Sequence, residues 1–120
     1  MLHFDRLQRI MINKRRNTRI PISGVAKIEF EDQGKIHSIA TVIANVSLRG
    51  IGVYAYDPMK VKTDVSITIT FVFSDGSLKT DFLTGRIISN KKIGNTYFIG
   101  IQFNEEIHPE NQPYLSTCFF

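Results

Sequence analysis

The repeat of apolar and polar positions changes at Pro21. Before it, Phe4, Leu7, Ile10 and Met11 recur at three- and four-residue steps with Arg6 and Arg9 between them, which predicts a short amphipathic helix over about Leu2 to Asn13. Beyond it, Ile22, Gly24, Ala26, Ile28 and Phe30 alternate with Ser23, Lys27 and Glu29, the two-residue repeat of a half-buried strand. Asp32-Gln33-Gly34 then reads as a turn. Residues 35–44 (KIHSIATVIA) and 51–56 (IGVYAY) are rich in β-branched and aromatic types and predict two further strands, joined by the polar, glycine-ended NVSLRG and closed by Asp57-Pro58.

The clearest alternation lies in 65–73, where Val65, Ile67, Ile69, Phe71 and Phe73 share one face and Ser66, Thr68 and Thr70 the other. SDGS at 74–77 supplies a hairpin turn, strand-like residues run from Leu78 to Ser89, and a second turn falls in NKKIGN at 90–95. Tyr97, Ile99, Ile101 and Phe103 alternate with Thr96, Gly100 and Gln102. About six strands linked by turns too short for crossover helices define an all-β chain, an antiparallel barrel or sandwich. Pro109 and Pro113 interrupt the tail, so a short helix fits only around Glu110 to Thr117, with Leu115 and Phe119 available to plug an open barrel end.

A length of 120 residues with 42% hydrophobic and 22% charged residues allows one domain with its own core and excludes a disordered chain. No apolar run approaches the roughly 20 residues of a membrane span, and charge interrupts the N-terminus where a signal peptide needs its apolar stretch, so a soluble, cytoplasmic protein is expected. Cys118 is the single cysteine, which leaves no internal disulfide and no cysteine-rich zinc site.

Charge divides the chain in two. Residues 1–20 hold Arg6, Arg9, Lys14, Arg15, Arg16 and Arg19 against Asp5 alone, a charge of +5, while the remainder sums to −1 of the total +4. The expected organisation is an N-terminal helix and basic arm over 1–20 and a barrel with a C-terminal tail over 21–120, the arm suited to phosphate, nucleic acid or an acidic surface.

Two short features carry the candidate chemistry: Arg15-Arg16-Asn17-Thr18-Arg19 before the first strand, and Asn45-Val46-Ser47-Leu48-Arg49-Gly50 between the second and third. In this order they resemble the PilZ family, whose members pair RxxxR with a downstream [DN]xSxxG on a six-stranded β-barrel and bind cyclic di-GMP. YFIGIQF at 97–103 is similar to that family's last barrel strand. The resemblance implies a six-stranded antiparallel barrel with short N- and C-terminal helices, and a bacterial receptor in which Arg15 and Arg19 hold phosphate and guanine, with help from Arg16 and a weaker contribution from Lys14. It assigns Asn45, Ser47 and Gly50 to the same ligand.

The residue types suit that task. Arginine presents a planar, permanently charged fork that donates in pairs to phosphate oxygens or to guanine O6 and N7, and its face stacks on a purine. Asn45 and Ser47 have side chains short enough to bond a base edge or their own backbone, and Gly50 and Gly52 let a ligand approach the main chain. Members of the family that the chain resembles take the ligand singly or as an intercalated pair, and by that resemblance a basic residue before RxxxR, here Lys14, leans towards the pair.

Other functions have less support. His3, His37 and His108 lie far apart without metal-ligand or triad spacing, and there is no GxxxxGK[ST] loop, so neither an enzyme nor a cofactor is expected. A single-stranded nucleic-acid-binding barrel is the rival reading, with Tyr54, Tyr56 and Tyr97 as stacking platforms, although their place in apolar runs suits barrel wall and core rim better. The third reading is a nucleotide-independent adaptor. A receptor without catalytic residues itself implies a downstream protein partner. Ligand binding is expected to order residues 1–19 and so expose or hide the helix's apolar face; no residue chooses among motility, exopolysaccharide, adhesion or transcription as output.

Overall fold

The computed structural model describes residues 18–120. The helix expected over Leu2 to Asn13, and with it Lys14, Arg15 and Arg16, lies outside the described residues. Within them six strands, β1 (Gly24–Asp32), β2 (Lys35–Val46), β3 (Gly50–Ala55), β4 (Asp64–Val72), β5 (Leu78–Ile93) and β6 (Thr96–Phe103), close into an antiparallel barrel in the order β1-β2-β3-β6-β5-β4. The all-β fold implied by the alternation is therefore a barrel, not a sandwich.

Turn chemistry sets the hairpins. Gln33 and Gly34 both take positive φ (52° and 77°), the two-residue turn whose twist matches the strands it joins, and Asp32 pairs with Lys35. Asp75 in the β4–β5 turn accepts the backbone N–H of Ser77 at 2.9 Å. The turn expected somewhere in 90–95 is confined to Gly94-Asn95. Residues 90–93 stay in β5, because the exposed ladder places Lys91 and Lys92 opposite Phe98 and Tyr97 and leaves both ammonium groups in water.

Alternation fills the interior. Ile28, Val53, Ile69, Ile87 and Ile99, one from each of five strands, are all fully buried, and each removes a side chain worth roughly 1.5–3 kcal/mol from water. Met59, Ile107, Leu115 and Phe119 complete the core from outside the strands. The helix expected around Glu110 to Thr117 is a single 3-10 turn, Leu115–Cys118. Pro113 keeps it from starting earlier, and Leu115 and Phe119 face inward as plugs.

A buried carboxylate fixes that tail. Asp81 of β5 points inward and accepts the backbone N–H groups of Leu115 (2.6 Å) and Tyr114 (3.2 Å). Burial raises its pKa above the usual 3.8, and the two N–H donors offset part of the rise. Gln112 adds a hydrogen bond to the carbonyl of Phe82 at 3.0 Å.

Candidate functional site

A β-bulge positions the centre of the second motif. Ile43 pairs with Val53 and Asn45 with Gly52, so Ala44 is an extra residue in β2. Without it, Asn45 would continue the inward series of Thr41 and Ile43. With it, Val46 turns into the core at 0% exposure and Asn45 turns outward.

The chain before β1 locks onto this point. Ile20 and Val46 exchange backbone hydrogen bonds of 2.8 and 2.9 Å in an isolated antiparallel bridge. This lays Arg19 beside β2, where its Nη1 donates to Asn45 Oδ1 at 2.9 Å. The other guanidinium donors of Arg19 have no acceptor among the described residues.

Ser47, Leu48, Arg49 and Gly50 form the turn into β3. The Ser47 N–H donates to the Gly50 carbonyl at 2.8 Å and its buried hydroxyl reaches the same oxygen at 3.4 Å. The turn is stitched to the tail, since Leu48 accepts from Ile107 N–H at 2.9 Å and Arg49 from Phe103 N–H at 2.7 Å. The exposed Arg49 side chain pairs with Glu106 at 2.9 Å.

Absent side chains shape the floor. Gly52 of β3 pairs with Gly100 of β6, and Gly100 with Ser89 of β5, where a second bulge at Ile88 mirrors the one at Ala44. A Cβ on Gly52 would lie 2.6 Å from Phe98 Cζ and 3.1 Å from Asn45 Oδ1, so the ring of Phe98 and the amide of Asn45 meet over this glycine. A Cβ on Gly50 would lie 2.6 Å from the carbonyl oxygen of Ile101, which makes that glycine a condition of strand packing. Beside this floor is a cleft of about 310 Å³ bordered by Arg19, Ser47, Arg49, Gly50, Phe98 and Gln102, with no carboxylate among its described lining residues.

Of the residues singled out in the sequence, Arg19, Asn45, Ser47, Gly50 and Gly52 come together here. Ser47 contributes to the turn's hydrogen bonding, and Gly52 seats Phe98 and Asn45. Phe98, Ser89 and Gln102 were missed. Their only sequence signal is that β6 places Phe98, Gly100 and Gln102 on the face opposite Tyr97, Ile99 and Ile101. Of the candidate stacking tyrosines, Tyr54 and Tyr56 are exposed, Tyr54 lying 5.2 Å from Phe98 between ring centroids, and Tyr97 packs against the core.

The family model described as "PilZ domain" matches residues 13–120, a span that takes in both motifs. The chain belongs to the PilZ family, a family of ligand-binding and adaptor domains. Among solved structures it is similar to the Bacillus subtilis inhibitor of motility MotI/DgrA (TM-score 0.56, 14% identity, covering 86% of this chain and 49% of that one). It is also similar to the PilZ domain of YcgR from Escherichia coli, determined with cyclic di-GMP (TM-score 0.55, 13% identity, covering 88% and 89%). This chain thus spans about half the length of the motility inhibitor. Comparison with curated proteins gave no match. Among the described residues no helix is long and apolar enough to cross a membrane, and no group of His, Cys, Asp and Glu could hold a metal ion.

Proposed function

We propose that this protein is a cyclic di-GMP receptor, not an enzyme, and that Arg19, Asn45, Ser47 and Gly50 of the described residues contribute to its ligand site. Arg15 and Arg16 complete it from the arm, with Lys14 at its margin and Gly52 as the floor. The observation that carries this reading is the Arg19–Asn45 hydrogen bond, which joins the two motifs at the rim of a cleft with no carboxylate among its described lining residues. An anion bearing two phosphates would meet in Arg19 a charged fork with donors that Asn45 does not use.

The protein partner that receives the signal meets the arm, whose order changes when phosphate engages Arg15 and Arg19. The decisive experiment is calorimetric titration with cyclic di-GMP, with GTP and cyclic GMP as controls. Selective heat that weakens in Arg19→Ala supports the receptor and also yields the ligand ratio. No heat with a folded barrel overturns it and leaves a nucleotide-independent adaptor.

A further inference from the structure

A large groove of the barrel is lined by none of Arg19, Asn45, Ser47 and Gly50. It runs along the outer wall of β1, β4 and β5 as two continuous clefts of about 720 and 540 Å³ that share Ser66, Thr84 and Asn104. Phe82, 66% exposed, stands at one end and Ile36, 74% exposed, at the other. Its charged lining residues are all carboxylates. Glu29 is paired with Lys27 and Asp64 with Arg86, while Glu31 and Glu105 have no partner among the described residues.

We propose that this groove is the docking site of the chain's own amphipathic segment, residues 2–13. Charge complementarity is the first argument: the segment brings Arg6 and Arg9 against Asp5, to a groove whose unpaired charges are Glu31 and Glu105. Spacing is the second. The ladder places Phe82 level with Lys27 and Ile36 level with Glu31, four residues apart along the strands and three strands apart across the sheet, a diagonal of roughly 20 Å at strand rise and strand spacing. A helix over residues 2–13 would be about 17 Å long, enough to lie along most of that diagonal between the two apolar residues.

Reach is the third. Thr18 borders a cleft with Thr117, Cys118 and Phe120, and Ser116 donates its N–H to the carbonyl of Gln112, which lines the groove. Extended chain from Met11 to Thr18 spans up to about 23 Å, several times the single turn between Ser116 and Gln112. The docking does not depend on the ligand reading, so either can fail alone.

Cross-linking of the full-length chain without nucleotide tests it. In a Cys118→Ser background, Leu7→Cys is combined with Thr84→Cys in the groove or with Tyr56→Cys on another wall, and treated with a short bismaleimide. Docking predicts an intramolecular product that forms at least about ten-fold faster with Thr84→Cys than with Tyr56→Cys, at a rate independent of protein concentration. Adding Arg6→Glu and Arg9→Glu should abolish the difference, and Glu31→Lys with Glu105→Lys should restore it. A product found only as a dimer assigns the groove to a second copy and overturns the proposal. Equal rates at the two positions, or no product, leave the groove to a different protein and overturn it as well.

Discussion

The guanidinium of Arg19 donates to the side-chain oxygen of Asn45 at 2.9 Å across a sequence separation of 26 residues. Because the Ile20–Val46 bridge holds the backbones together independently, the two side chains can be altered without detaching the segment.

Arg19→Ala should therefore lose about 1–3 kcal/mol of cyclic di-GMP affinity, roughly 5- to 150-fold in Kd. Its thermal midpoint should stay close to that of the native chain, since the side chain is exposed. Arg19→Lys should recover only part of the loss, because an ammonium cannot donate as a fork. Calorimetry beside a thermal melt separates the two effects.

Two glycine substitutions should have opposite signatures. In Gly50→Ala the new methyl meets the backbone carbonyl of Ile101, which cannot swing away, so urea unfolding should show a loss of about 1–3 kcal/mol. In Gly52→Ala the obstacles are the tips of Phe98 and Asn45. These can move, so the expected result is weaker ligand binding with a smaller stability change.

Asp81→Ala should unfasten the tail. It removes the acceptor for the Tyr114 and Leu115 N–H groups, for an expected cost of about 1.5–3 kcal/mol in urea. The pH dependence has a definite sign. Burial raises the folded-state pKa above the unfolded value, so the folded chain binds the extra proton. The contribution of Asp81 to stability should rise as pH falls through its folded pKa towards 3.8, and Asp81→Asn should lack this component in parallel urea titrations.

Arg49→Ala tests the one charged residue within the second motif that meets a carboxylate. Its ion pair with Glu106 is exposed, so stability should change by less than about 1 kcal/mol in urea.

Much of the fold was legible because a strand buried on one face must alternate, as 65–73 does, and because Gln33-Gly34 and Gly94-Asn95 have the chemistry their turns need. Non-local pairing was not: nothing in β3 names β6 as its neighbour. Nor do the bulges announce themselves, since Ala44 and Ile88 are ordinary strand residues. A strict two-residue count from Ile43 would place Asn45 in the core. The place of Asn45 in the candidate site came from motif resemblance, and its outward aim only from the register. Phe98 was overlooked for a related reason, because an aromatic residue in an apolar run reads as core until the partner strand is known.

Closure of the barrel has a consequence for how much of this chain can be rewritten. With every strand paired on both sides, the ladder is held by the backbone and by the inward half of each strand. The outward half, from Lys27 and Thr68 to Phe82 and Lys91, answers only to whatever it meets in solution. Two texts are interleaved residue by residue. The inner one can keep the barrel standing while the outer one drifts, which is how chains sharing 13–14% identity with this one still superpose on it.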